Sequence, residues 1–240
     1  MTGFSRSAAA LIALLPVFAG ASPPEAADRF FEWSYKGKAH RFAFHVPNFR
    51  SCQEAIKDFP HDWEEPVRYL SNYPCEESLV WIAGELRDVG RDLGYGRADF
   101  ANFLLNFVRS IPYAYDKDST GRPDYTRYPY ETLLDRTGDC EDFALLYSAI
   151  LSHWCFDVVL LNTPGHVAVG INTKTWNENA SGTYYDFNDG KYYYCEATGC
   201  RNGRCDVTRI GETPEIENAA ENQYEARIID VPRICTFPSP

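Results

Sequence analysis

Thr137-Gly138-Asp139-Cys140-Glu141-Asp142 leads directly into Phe143-Ala144-Leu145-Leu146-Tyr147-Ser148-Ala149-Ile150-Leu151. A helix begins near Asp139, and its first turn holds backbone N–H groups left unpaired. Beyond that turn the stretch is apolar nearly all round, the pattern of a helix buried at the centre of a fold. Cys140 therefore stands where unpaired backbone donors and the positive end of the helix dipole favour a thiolate. Its own N–H, unused by the helix, is available to an oxyanion. In a chain of eight cysteines the plainer alternatives are a half-cystine or an inert packed thiol.

On either side of this helix the periodicity differs. Downstream, residues 156–161, 166–172, 183–187 and 191–197 read as strands, the last two joined by the hairpin signal Asn188-Asp189-Gly190. Upstream, 76–92 and 98–111 read as helices, the second carrying Phe100, Phe103, Leu104, Phe107, Val108 and Ile111 on one face before Pro112 stops it. Residues 112–138 read as a loop too long for a mere connection. At the front, residues 30–46 alternate as two strands around Lys36-Gly37-Lys38, and 47–75 form an appendage with Cys52 and Cys75 near its ends. Helices followed by an antiparallel sheet define an α+β fold: a central helix with cysteine at its N-terminus packed on the sheet, and a small N-terminal β-hairpin beside it. The tail beyond Gly211 is acidic and reads as a surface wrap.

Residues 1–21 hold Arg6, an apolar run over 8–20 and Ala19-Gly20-Ala21, the pattern of a secretory signal. Pro16 interrupts the run, which is too short to span about 30 Å of hydrocarbon. The expected organisation is a signal peptide at 1–21, a linker and appendage at 22–75, a main domain at 76–215 and a tail at 216–240. After removal of the signal no integral membrane segment remains, and the expected location is secreted or periplasmic. The net charge of −11 argues against a nucleic-acid partner. An oxidising compartment favours disulfides, and proximity pairs Cys52–Cys75, Cys200–Cys205 and Cys195–Cys235, leaving Cys155 as a core thiol. A zinc site from Cys195, Cys200 and Cys205 does not match the short spacing of zinc ligands.

A thiol nucleophile needs a base. His153 lies 13 residues along the same helix, about 20 Å away. His40 and His45 belong to the hairpin and His61 to irregular sequence, which leaves His166 at the mouth of a strand. Of Asp186, Asp189 and Glu196, the acids that could orient it, Asp189 belongs to the turn. Glu196, in Tyr192-Tyr193-Tyr194-Cys195-Glu196-Ala197, is costly on an apolar strand unless paired, and alternation turns it away from Cys195.

The order Gly-Asp-Cys-Glu-Asp-Phe-Ala opening a helix, Pro-Gly-His-Val-Ala-Val-Gly on a strand and Glu-Ala-Thr ending another resembles the transglutaminase-like superfamily, a circle of papain-like thiol enzymes. Tyr128-Pro129-Tyr130-Glu131-Thr132-Leu133 and Ile210-Gly211-Glu212-Thr213-Pro214 resemble its prokaryotic branch, so the likeness runs over residues 76–215. It implies Cys140 as nucleophile, His166 as base and acid, and Glu196 in place of the family's aspartate, one methylene longer. Tyr128 and Tyr130 are the candidates for an oxyanion side-chain donor. The implied activity is that of an exported enzyme attacking protein or peptide amide bonds through a thioester, with water or an amine as acceptor and neither cofactor nor metal. The alternative is a degenerate scaffold that binds through its tyrosines.

Overall fold

The computed structural model describes residues 27–46, 48–63, 65–174, 180–199, 209–212 and 226–237. The signal segment, Cys200 and Cys205 lie outside them. In chain order the elements are β1 (Ala27–Tyr35), β2 (Lys38–Val46), α1 (Phe49–Lys57), a 3-10 turn (Pro66–Leu70), α2 (Glu76–Asp92), α3 (Arg97–Arg109), α4 (Asp116–Ser119), α5 (Pro129–Asp135), α6 (Cys140–His153), β3 (Val158–Thr163), β4 (His166–Asn172), β5 (Tyr184–Phe187), β6 (Gly190–Cys195) and β7 (Arg227–Asp230).

Helix α6 is the axis, with every residue from Asp142 to His153 buried. It lies on β3 and β4, within an antiparallel sheet of order β5-β6-β4-β3-β7. Val167, Val169 and Ile171 of β4 belong to the main core with α6. Ala168 packs with Val159, Leu161, Tyr192 and Tyr194 in a second cluster, the period-two split that a sheet imposes. The β1–β2 hairpin turns through Lys36 and Gly37, at φ 51° and 70°, as a two-residue hairpin turn requires. Its Phe31 and Trp33 dock edge-on against Phe107 of α3, with Trp33 also against Phe103. The fold is thus α+β with the expected helix, sheet and hairpin.

Three regions differ from the sequence reading. The 112–138 loop contains α4 and α5. Pro129 opens α5 at a position whose N–H has no helical partner, and the Glu131 carboxylate accepts the Tyr128 N–H at 3.3 Å. Residues 47–75 form α1 and the 3-10 turn, closed by the expected Cys52–Cys75 disulfide. The tail, far from merely wrapping the surface, supplies β7 along the edge of β3.

The cysteines also sort differently. Cys155 is bonded to Cys235, whereas Cys195 is a buried free thiol. The cause is the path of the tail. Cys235 and Phe237 donate N–H groups to the Ser152 and His153 carbonyls at 3.0 and 2.9 Å, satisfying acceptors at the C-terminal end of α6. Cys235 is thereby delivered to Cys155, and Cys195 stays in the core.

Candidate active site

Cys140 is the first residue of α6, with Asp139 as N-cap. Where the helix crosses β4, the Val167 N–H donates to the Cys140 sulfur, so the half-buried thiol lies against the residue next to His166. Pro164 and Gly165 form the two-residue turn between β3 and β4, with Gly165 at φ 74°. His166 follows at once, held where the strand begins. Its Nε2 lies 3.0 Å from Glu196 Oε2. A carboxylate only accepts, so Nε2 carries the proton and Nδ1 is the nitrogen left for proton exchange.

Glu196 is buried, 6% exposed, and well supplied with donors. Tyr194 Oη donates to Oε2 at 2.8 Å and the Thr198 N–H to Oε1 at 2.9 Å. Its main-chain oxygen accepts Arg109 Nη1 at 2.8 Å. Burial alone would raise this carboxyl, but the hydrogen bond and charge of His166, with Thr198 and Tyr194, hold it at about 2.

The thiol is treated in the opposite way. Burial pushes it up first, then the charge of Glu141, whose Oε2 accepts the thiol hydrogen at 3.1 Å, while the Val167 N–H opposes the rise. The helix terminus is outweighed by burial and by the charge of Glu141, contrary to the lowering expected from position. Asp139 itself is pushed up to about 9 by burial and then by Glu141; at neutral pH it is a carboxylic acid donating toward Glu141. Further carboxylates converge here. One oxygen from each of Asp116, Asp124 and Glu141 lies within 4.8 Å of the others, as for Asp116, Asp139 and Asp142. Among the described residues these have the hard oxygen donors that suit a cation. Arg127 already serves Asp116 and Asp142.

A family model described as a transglutaminase-like domain matches residues 94–187. Residues 94–187 are similar to a transglutaminase-like domain. The match takes in Cys140 and His166 and stops short of Glu196. A solved structure titled "Crystal structure of a TGase" is similar over 80% of this chain and 47% of that one, with a TM-score of 0.37 and 8% identity. The chain thus spans about half the length of that protein. No curated protein matches the sequence.

Within the matched residues 94–187, two residues expected near the site face elsewhere. The Tyr128 hydroxyl is spent on the Pro60 carbonyl at 3.1 Å, and Tyr130 is buried in the core. His153, at the far end of α6, is buried, pairs with Thr236 Oγ1 at 2.8 Å, and is lowered to about 4 by burial. Four residues that sequence reasoning passed over support the site: Tyr194, Thr198, Arg109 and Arg127. Tyr194 was within reach, because residues i and i+2 of a strand share a face and Tyr194 precedes Glu196 by two. Arg109 and Arg127 act through tertiary contacts that no local pattern reveals.

Proposed function

We propose that the protein is an exported thiol acyl-transfer enzyme acting on protein or peptide amides. The observation that carries this reading is the placement of Cys140 against Val167, beside a histidine hydrogen-bonded to a buried carboxylate. Buried and with Glu141 beside it, the thiol rests neutral, so its proton passes to His166 Nδ1 as the sulfur attacks the amide carbon. The oxyanion meets the Cys140 N–H at the helix terminus. Collapse breaks the C–N bond, the leaving amine takes the proton from His166, and a thioester remains. Water or a second amine then attacks the thioester carbon, giving its proton to His166; the C–S bond breaks, the acid or new amide leaves, and the sulfur takes the proton back from His166. Glu196 holds the ring in one tautomer and stabilises its protonated form. Two disulfides suit an exported chain, and no helix among the described residues is long and apolar enough to cross a membrane.

The raised thiol favours a second reading, a transglutaminase-like binding module in which Cys140 is inert. Wild type, Cys140→Ala and His166→Ala, incubated with a glutamine-containing peptide library with and without a primary amine, separate the two by mass spectrometry. The enzyme reading expects cleavage, deamidation or amine addition in wild type, lost in both variants. Identical peptide masses in all three proteins would leave the binding module.

A further inference from the structure

Arg127 is a buried cation next to the site. Its side chain is 1% exposed, yet it meets three carboxylates. Nε donates to Asp135 at 3.3 Å, Nη1 to Asp142 at 2.7 Å and to Asp116 at 3.1 Å, and Nη2 to Ser119 Oγ at 2.8 Å. One guanidinium thus joins α4, α5 and α6. Stability alone does not explain such a residue, because apolar groups of similar volume often replace buried ion pairs without loss. What a fully bonded guanidinium supplies is geometry.

That geometry converges on the first turn of α6. Asp142 takes the Arg127 N–H on Oδ1 at 2.7 Å, and Arg127 Nη1 and the Asp139 N–H on Oδ2 at 2.7 and 3.2 Å. One side chain therefore grips residue 127 twice and the residue before Cys140 once. The approach is close enough that a Cβ at Gly138 would lie 2.8 Å from Asp142 Cβ and Oδ2. On the other side Tyr113 bridges to Gly138, and the Ala114 N–H donates to the Gly138 carbonyl at 2.9 Å. His166 and Glu196, by contrast, are fixed by the sheet, Tyr194, Thr198 and Arg109. The two halves of the site have separate anchors.

We propose that Arg127 is a positioning residue for Cys140: through Asp142 it sets where the thiol stands relative to His166. This rests on the acyl-transfer reading. Removing the guanidinium displaces the thiol and leaves the His166–Glu196 pair in place. The reactivity of Cys140 then ceases to depend on His166.

The test is a double-mutant cycle on the full-length protein. Cys140 alkylation by iodoacetamide is timed at neutral pH in wild type, His166→Ala, Arg127→Met and the double variant. Wild type should react faster than His166→Ala by roughly tenfold or more, and Arg127→Met should match its double variant, because a shift of ~1 Å is enough to disable a positioned pair. Arg127→Lys, with the charge but not the fork, should retain part of the histidine dependence. The His166 ring NMR signals should be unchanged in Arg127→Met. An arginine with a purely structural role would lower Tm and leave the histidine dependence whole, which overturns the proposal while the acyl-transfer reading stands. A wild-type rate indifferent to His166→Ala overturns both. If Arg127→Met does not fold, Asp142→Asn takes its place under the same criterion, since its amide nitrogen cannot accept from Nη1.

Discussion

Glu196 and Cys140 are two acids of one site on which burial acts in the same sense and the neighbouring groups in opposite senses. Each is desolvated, but Glu196 gathers three donors while Cys140 faces Glu141. The extra methylene relative to aspartate lets the Glu196 carboxylate bridge His166, Tyr194 and Thr198. That Glu196 would be partnered was legible in the sequence, because an acid on an apolar strand demands a partner. The raised thiol was not, since it depends first on the burial of the thiol itself and then on the charge of Glu141 beside it. A pH prediction follows for Glu196. Its folded value of about 2 lies below the ordinary 4.5, so the folded state holds fewer protons than the unfolded chain in that interval. Its stabilisation is present in full above pH 4.5 and is lost as pH falls toward 2, on the order of 3 kcal/mol. Glu196→Gln should therefore be less stable at neutral pH and show a shallower acid limb between about pH 5 and 2 in urea titrations. An acid limb as steep as that of wild type would contradict this.

At the scale of elements, legibility followed the length and strength of the pattern. Helix α6 declared itself by a long apolar run, α2 and α3 by their periodic faces, and β5–β6 by Asn188 and Asp189, which take left-handed backbones at φ 45° and 63°. Helix α5 was lost because Pro129 reads as a breaker unless it is placed at a helix's first position, and β7 because four residues carry no period. The N-terminal hairpin was read correctly, but its docking site was not. Trp33, 7% exposed, joins the hairpin to Phe103 and Phe107 of α3 at ring distances of 5.3 and 5.1 Å. Its Nε1 is buried with no hydrogen-bond partner. Trp33→Ala should cost about 3–5 kcal/mol by emptying this contact. Trp33→Phe should cost much less, because it keeps an aromatic ring there and removes an unsatisfied donor worth roughly 1–3 kcal/mol. Urea unfolding of the two variants tests the ranking, and equal losses would mean that a phenyl ring recovers none of the indole's contacts with Phe103 and Phe107.

For the whole molecule, the long-range closures decide what local patterns leave open. Cys52–Cys75 spans 23 residues and was found by proximity, whereas Cys155–Cys235 spans 80 and could be found only from the fold. That second bond ties the tail to the end of α6 opposite Cys140, behind a segment already held by β7 pairing and by the Cys235 and Phe237 N–H groups. Closing a loop of that length removes chain entropy from the unfolded state worth about 4–5 kcal/mol in the simplest model, and native disulfides typically contribute 2–5. Cys155→Ser/Cys235→Ser should therefore lose roughly 2–5 kcal/mol in denaturant titrations. The first turn of α6 should not feel the change. Fourteen residues of helix separate the two ends by about 20 Å, and Cys140 is anchored there by Asp142 and Arg127 rather than by the tail. The rate of Cys140 alkylation below the unfolding transition should stay close to that of wild type. A large fall in that rate with the fold intact would mean that the tail, and not the Arg127 network alone, sets the position of α6 on the sheet.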